Sequence, residues 1–426
     1  MTKIKNALNW VVSNKEKIVT TFFVVFMVCF LMYSTAIVQK YNIALKIVAI
    51  VRYLSYVVLA GCIGIDVLLK KKISLVMVIA GLLSLIIMLF TKEFAVVSVM
   101  IVLSAIGGID VKKLVKSVLC VVGIAFFLNV VLSIVGVFPD LIYLRGDVVR
   151  HSLGLTYPTD VFAVFLSLAM MFVYLRGAKI KYIELGVMLA LTCAFYHLTD
   201  GRLSFILCLL TIVVALAYKL TDRFFDLQKF TNTVMTNKIF KWTVISVPSV
   251  LFIFAIALVL LYRSGSNLGE VLNNVLSGRL IYSSDAFTNY PLTAFGTEVE
   301  WIGWGGMGYL RPYDEAVLYN FVDISYIRIL FDYGIIGSVA ILFGYSVAIK
   351  DAVKERDLFL LTVILVMLFC FVLLIYISVF VPLPYCLDDC GFVVEPEVRQ
   401  VDSSSSILLC QHCFDYSSFF VFPYEL

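Results

Sequence analysis

Long apolar runs separated by short polar segments make up most of this 426-residue chain. Most runs have the length of a membrane-spanning helix, and they lack the strict alternation of a transmembrane barrel strand. The pattern predicts an all-α, polytopic helical membrane protein with about eleven transmembrane helices. The predicted spans are Ile18–Val38, Ile43–Leu69, Ile73–Phe90, Phe94–Ile109, Leu114–Phe138, Pro158–Leu175, Tyr182–Leu198, Leu203–Tyr218, Trp242–Leu261, Ile324–Ile349 and Leu358–Val381.

The largest polar interruption runs from Tyr262 to Asn320 and contains no apolar run of membrane length. It carries many charged residues and is rich in Gly, Tyr and Trp. Because the remaining chain is apolar enough to lie in lipid, we expect this loop to hold the functional site. The sequence thus predicts a membrane domain, residues 1–381, with one large outer loop, residues 262–320. Residues 382–426 form an atypical polar tail.

The composition agrees with a membrane protein and argues against several other classes. The chain is 62% hydrophobic and 15% charged, and its mean hydropathy is +1.02. A soluble protein of this composition would precipitate. The first apolar run is too long for a cleavable signal peptide. A Gly-x-x-x-x-Gly-Lys-Ser/Thr motif is absent, so an ATP-driven pump is not expected. The membrane domain shows no metal-ligand spacing, and we expect no metal, no cofactor and no nucleic-acid partner.

Lys and Arg are distributed unevenly between the two sides of the predicted topology. With the N-terminus inside, the inner segments contain 21 of the 33 basic residues, which predicts a cytoplasmic N-terminus. The inner segments have 18 Lys and 3 Arg, whereas the rest of the chain has 3 Lys and 9 Arg. Arg binds phosphate or carboxylate with two parallel hydrogen bonds, so this enrichment favours an anionic ligand on the outer side. Chance composition is the alternative.

Two polar constellations contain arginines at predicted helix starts. In His197–Ser204, Gly201 permits a tight turn and Arg202 begins the next span. This segment is either a polar hairpin in which Arg202 snorkels or pairs with Asp200, or a site that directs the arginine at a lipid-linked phosphate. In the large loop, Arg279 begins a segment of helical spacing, and a Gly-rich stretch with two Trp follows. Those aromatic rings would stack on sugars or lie at the level of the lipid headgroups.

A third constellation lies where the large loop meets the next predicted span. Arg328 and Asp332 are four residues apart on one helical face, so a structural ion pair is the simplest interpretation. Asp323 lies earlier, at the outer mouth of that span, where charged groups are expensive and suggest a function. A fourth, weaker constellation contains Arg145 and Arg150 ahead of the sixth span.

These residues resemble motifs of the O-antigen ligase and Wzy-type polysaccharide polymerase superfamily. The resemblance covers about Arg150 to Gly337. It rests on the Arg-containing turn at Asp200-Gly-Arg202, on Ser277-Gly-Arg279 followed by Asn289-Tyr-Pro291-Leu292, and on Asp323 eleven residues before Gly334-Ile-Ile-Gly337. Ligases of the family usually have His-Asn where this chain has Asp323-Ile324, which favours a polymerase. The family's His-Pro-Asn is replaced here by Tyr157-Pro158-Thr159.

The resemblance implies an inverting, metal-independent glycosyltransferase of the bacterial cytoplasmic membrane. It would polymerise oligosaccharide repeat units linked to undecaprenyl diphosphate, and a chain-length regulator and a flippase are the implied protein partners besides membrane lipid. Arg202 and Arg279 are expected to stabilise the diphosphate leaving group, and Asp323 to accept the proton of the acceptor hydroxyl. The residues expected to bind substrate are Arg145, Arg150, Asp200, Arg311 and Arg328. A ligase and a flippase or exporter of lipid-linked glycan are the alternatives.

The tail has a different composition from the membrane domain. Cys386, Cys390, Cys410 and Cys413 approach a zinc pattern, but the first pair is one residue too widely spaced. Two disulfides, in any of three pairings, are the alternative if the tail lies outside the cell. Because members of the resembled family usually continue with another span, the tail is also interpreted as non-native or disordered, and we assign it no function.

Overall fold

A computed structural model describes residues 10–70, 75–145, 147–276, 278–303, 320–373, 380–381 and 408–409. Most of these residues are helical. By length and composition, eight of the described helices could cross a membrane: Lys15–Tyr33, Asn42–Leu68, Val111–Ile134, Pro158–Lys179, Tyr182–Thr199, Arg202–Phe224, Lys238–Arg263 and Gly334–Lys354. Three shorter apolar helices, Val76–Thr91, Ala95–Ile106 and Leu358–Phe369, coincide with the other three predicted spans. The prediction of an all-α polytopic membrane protein is confirmed.

The described elements follow one another in this order: α1 (Lys15–Tyr33), α2 (Ala36–Lys40), α3 (Asn42–Lys70), α4 (Leu75–Thr91), α5 (Ala95–Ile106), α6 (Val111–Ile134), β1 (Ile142–Arg145), β2 (Val148–His151), α7 (Pro158–Arg176), a 3₁₀ turn (Gly177–Lys179), α8 (Tyr182–Thr199), α9 (Arg202–Phe224), α10 (Leu227–Thr236), α11 (Lys238–Arg263), α12 (Asn267–Val275), α13 (Arg279–Asn289), α14 (Ser325–Asp332), α15 (Gly334–Lys354), α16 (Leu358–Leu373), β3 (Phe380–Val381) and β4 (Leu408–Leu409). Strands β1 and β2 pair antiparallel, as do β3 and β4. These elements form two compact units, the first from the described parts of Met1–Leu82, Ser98–Leu227 and Phe380–Leu409, the second from those of Leu83–Val97 and Gln228–Val379.

Helix α7 is the central helix of the first unit. It packs against α6, α8 and α9, and side chains around most of its circumference are buried. Such a helix has no polar face, which is why its sequence is apolar on every side. Phe162 and Phe165 of α7 contact Phe195 of α8, and Phe126 of α6 joins the same aromatic cluster. Pro158 is the first residue of α7, as predicted, because proline at that position lacks only an N–H that the helix would not use.

Two tight features of the first unit lie near the start of α7. The turn between α8 and α9 places Asp200 in the left-handed region, with φ of 47°. A Cβ atom on Gly201 would lie 2.8 Å from Cδ1 of Phe162, so this turn rests against α7 and requires glycine. The second feature is the β1–β2 hairpin, which the sequence interpretation missed. Asn129 of α6 donates a hydrogen bond to the Leu153 carbonyl just beyond β2 (3.1 Å), which fixes the base of the hairpin.

Helix α11 of the second unit contacts α12, α13, α14, α15 and α16. The single span predicted over Ile324–Ile349 is wrong in one respect, because the structure has two helices there, α14 and α15. Tyr333 separates them, and Gly334 begins α15 with φ of 69°. The loop after α13 lies against this break: Thr297 N–H donates to the Phe331 carbonyl (2.7 Å), and Ile335 N–H donates to Thr293 (3.0 Å). Backbone groups freed by the break are therefore satisfied by the loop.

Candidate functional site: two arginine–carboxylate clusters

The second unit brings Arg279 and Asp323 together, although 43 residues separate them along the chain. Asn273 supplies the local reason for the position of Arg279. Its side-chain oxygen accepts hydrogen bonds from the N–H groups of Leu280 (3.0 Å) and Ile281 (3.3 Å), which caps α13. Gly278 precedes the helix with φ of 84°. Arg279 is thus the first residue of α13, as predicted.

The Arg279–Asp323 pair is loose. Arg279 Nε lies 3.8 Å from Asp323 Oδ2, which is too long for a hydrogen bond, and the side chains are 21% and 24% exposed. The buried Nε of Arg279 has no hydrogen-bond partner among the described residues. A buried donor on a charged group costs free energy when it is not bonded, so this guanidinium retains capacity for a further anion. Asp323 lies two residues before the start of α14 at Ser325.

Arg328 has a different environment. It is 2% exposed, and its Nε donates to Asp332 Oδ2 at 3.0 Å. The Trp301 indole N–H donates to the other oxygen of Asp332 (2.7 Å), and the guanidinium lies 4.9 Å from the ring centre of Trp301 and 4.5 Å from that of Phe321. Arg328 and Asp332 therefore form the structural ion pair that their spacing predicted. The cation–π contacts of Arg328 were not predicted from the sequence. The assignment of Arg328 to substrate binding stays a prediction, whereas its structural contacts are observed.

The first unit contains a separate cluster around Asp200. Arg145 Nη1 lies 3.6 Å from Asp200 Oδ2, and Arg202 Nε lies 3.4 Å from Asp200 Oδ1. The carboxylate is almost buried, whereas the Arg202 side chain is exposed. One carboxylate therefore lies between two guanidinium groups, of which one belongs to the hairpin and the other begins α9.

Arg150 is the third guanidinium of this cluster. Its Nε donates to the Thr199 carbonyl (2.7 Å) at the end of α8, where a cation is favoured by the helix dipole. The guanidinium also lies 5.5 Å from the ring centre of Tyr157, and Tyr143 meets that ring edge-on. Arg150 thus joins the hairpin to the α8–α9 turn. This contact depends on residues 49 positions apart, so no local pattern reveals it.

The positive charge of the cluster exceeds its negative charge. Burial lowers the pKa of Arg145 from its ordinary value, and the neighbouring charges of Arg150 and Arg202 lower it further, while Asp200 acts in the opposite direction. Arg145 thus feels the charges of two further guanidinium groups and of one carboxylate in a partly buried place. Repulsion among like charges is relieved when an anion binds, so this cluster has the electrostatics of an anion site.

Some predicted features lie outside the described residues. Arg311 is one of them, and the tail cysteines are others. In the part of the chain that the structure describes, no group of three or more His, Cys, Asp or Glu is arranged to hold a metal ion. That Arg202, Arg279 and Asp323 act on the same substrate stays a prediction from the sequence.

Comparisons of this chain with protein-family models, with curated proteins and with solved structures find no match. The fold and composition define the class as an all-α, multi-pass membrane protein. Within that class, the likeness to polysaccharide polymerases rests on the sequence motifs described above.

Proposed function

We propose that this protein is a membrane glycosyltransferase that polymerises oligosaccharide repeat units carried on undecaprenyl diphosphate, on the outer face of the bacterial cytoplasmic membrane. The observation that carries the proposal is the Arg279–Asp323 pair. It combines a cation with unused hydrogen-bonding capacity and a carboxylate of similar exposure, 3.8 Å apart. These are the two groups that the transfer needs.

The chemistry follows from the leaving group. The acceptor hydroxyl oxygen attacks the anomeric carbon of the donor sugar, and the bond between that carbon and the phosphate oxygen breaks with inversion. The electron pair leaves with undecaprenyl diphosphate, whose negative charge Arg279 stabilises. The hydroxyl proton passes to the carboxylate of Asp323, which acts as the general base. Because a guanidinium stabilises the negative charge of the leaving group, this scheme requires no Lewis acid.

The loose geometry of the pair suits both roles. Without substrate, the positive charge of Arg279 compensates Asp323. A diphosphate carries more negative charge than a carboxylate and offers the guanidinium two hydrogen bonds, so it competes for Arg279. Once Arg279 turns to the phosphate, Asp323 is a stronger proton acceptor, because an opposite charge has moved away from it. Binding of the donor would thus prepare the base.

The arginine cluster of the first unit supports the same proposal by a different route. Its excess positive charge suits an anionic group of the lipid-linked substrate. Arg145 and Arg150 are assigned to that group, and Asp200 serves as the counter-ion that the group replaces. Arg202 is assigned to the diphosphate on the basis of the sequence motif.

The decisive experiment uses purified protein reconstituted with lipid-linked repeat units, followed by separation of the products by size. We expect a ladder of lengths from the wild-type protein and single units from Arg279→Ala and Arg202→Ala. Arg223→Gln removes an exposed arginine at the end of α9 and should keep the ladder. Movement of intact units across the membrane without a ladder would instead identify a transporter. Transfer of glycan to a different acceptor would identify a ligase.

A further inference from the structure

The β1–β2 hairpin has two chemically different faces. Side chains alternate along a strand, and residues paired across an antiparallel ladder lie on the same face. The register pairs Tyr143 with Arg150 and Arg145 with Val148, which places these four residues on one face. It pairs Ile142 with His151 and Leu144 with Val149, which places those four on the other face.

Three of the four side chains on the first face contact protein. Tyr143 donates a hydrogen bond to the Thr156 carbonyl (2.7 Å), Arg150 is buried against Thr199, and Arg145 pairs with Asp200. These contacts hold the hairpin against the segment before α7 and the α8–α9 turn. The opposite face must therefore point away from the first unit.

That opposite face is apolar and open. Leu144 is 74% exposed, Ile142 is 61% exposed and Val149 is 47% exposed. His151 is the one ionisable residue among the four, and its Nδ1 is hydrogen-bonded to Asp140 Oδ2 at 2.6 Å. Asp140 is itself held by the Leu153 N–H (2.8 Å). Because its other three side chains are aliphatic, this face is costly to expose to water.

The hairpin also lies at the end of a candidate membrane span. Asn129 of α6 fixes its base through the Leu153 carbonyl. Exposed apolar side chains continue through the last turns of α6 and into the connection to β1, namely Leu128, Val131, Ile134, Val135 and Val137. Four residues of strand extend over roughly 13 Å. The boundary between headgroups and acyl chains is the place where an element of this size, at the end of a span, meets lipid.

We propose that the face formed by Ile142, Leu144, Val149 and His151 contacts the bilayer, with the apolar side chains at the boundary between headgroups and acyl chains. The arginine face then stays directed at the α8–α9 turn. A second copy of the chain is a poorer occupant, because a stable protein interface buries about 800 Å² on each partner and three aliphatic side chains supply only part of that area. The proposal does not depend on the glycosyltransferase assignment.

Two adjacent valines offer a matched test. Val149 lies on the proposed lipid face and Val148 on the arginine face, and their exposures, 47% and 42%, are nearly equal. A photoreactive benzophenone amino acid is placed at either position in the full chain. The protein is then reconstituted in nanodiscs of phosphatidylethanolamine and phosphatidylglycerol and irradiated, and adducts are identified by mass spectrometry. Both side chains are exposed, so neither replacement disturbs a packed core.

We expect several-fold more phospholipid adduct from position 149 than from position 148, and a second high yield from position 144. Equal lipid yields from 148 and 149 would overturn the proposal. Cross-links from 144 or 149 to a second copy of the chain, in place of lipid, would also overturn it and would identify the face as a dimer contact.

Discussion

Gly334 and Gly296 approach each other so closely that a Cβ atom on Gly334 would overlap the backbone of Gly296. The crowding is mutual, because a Cβ on Gly296 would lie 2.5 Å from the Asp332 carbonyl oxygen. Both glycines have positive φ, 69° and 96°. The break between α14 and α15 therefore depends on two glycines that lie 38 positions apart.

The first prediction concerns this contact. Gly334→Ala should lower the thermal unfolding midpoint in detergent by several degrees, because the backbone must shift and alanine resists this φ, together costing about 2 kcal/mol or more. Gly186→Ala is the control, since a Cβ at that helical position meets nothing within 4 Å. The control should be neutral or slightly stabilising. Equal midpoints for Gly334→Ala and the control would refute the steric account.

The second prediction concerns the buried pair of Arg328 and Asp332. Asp332→Ala leaves a buried guanidinium without this carboxylate and removes the acceptor of the Trp301 indole, so we expect a loss of about 3–5 kcal/mol. Glu298→Gln is the control, because its pair with Lys92 is exposed and should contribute under about 1 kcal/mol. Denaturation in detergent measures both changes.

A double variant separates charge from packing in the same pair. Arg328→Met with Asp332→Ala removes both charges of the pair, and methionine retains most of the contact with Trp301 and Phe321. We expect the double variant to be more stable than Asp332→Ala alone, which would be a clear departure from additivity. Additive losses would show that the two charges do not depend on each other.

The long-range features of the fold show what the sequence alone could and could not predict. Hydrophobic length predicted all eleven apolar segments, and local signals predicted the helix starts at Pro158, Arg202 and Arg279, because these depend on residues close in the chain. The break at Tyr333 was missed because the apolar residues on both sides of it fit one continuous span. Its cause is the loop around Thr293–Thr297, whose backbone bonds with the break come from distant positions.

In the candidate site, too, local contacts could be predicted from the sequence and long-range contacts could not. That Arg328 pairs with Asp332 followed from a spacing of four residues on a helix. The contact of Arg150 with the Thr199 carbonyl, and the position of Trp301 against Arg328, join segments that only the folded chain brings together. The hairpin was missed because each strand has only four residues and lies between two long helices.

The third prediction separates catalysis from stability at Asp323. Asp323→Asn keeps the shape of the side chain but removes the proton acceptor, so polymerisation should slow by about 10²–10⁴-fold. Asparagine keeps the volume and a hydrogen-bond acceptor of the side chain, and the ion pair with Arg279 is loose and partly exposed, so the unfolding midpoint should change little. Initial rates of ladder formation and thermal unfolding of the same preparation provide the two readouts. A large fall in the midpoint with a parallel fall in rate would point to a structural role instead.

The fourth prediction is that removal of the Asp200 carboxylate strengthens anion binding. Its carboxylate lies within 3.6 Å of Arg145 and 3.4 Å of Arg202, so it competes with any anion for both guanidinium groups. Asp200→Asn removes that competition, and asparagine tolerates the left-handed backbone at this position. We therefore expect pyrophosphate to bind Asp200→Asn more tightly than the wild type, by about fivefold if the lost attraction is near 1 kcal/mol.

Titration calorimetry with pyrophosphate measures this effect, and two arginine variants should change the affinity in the opposite direction. Arg145→Gln and Arg202→Gln should weaken binding, and all affinities should fall as salt is added, because the contacts are electrostatic and partly exposed. Asp222→Asn, which changes an exposed carboxylate near the end of α9, is the charge-matched control and should leave the affinity unchanged. If Asp200→Asn bound pyrophosphate no better than this control, Asp200 would not be a counter-ion that the ligand displaces. The cluster would then be a structural joint between the hairpin and the α8–α9 turn.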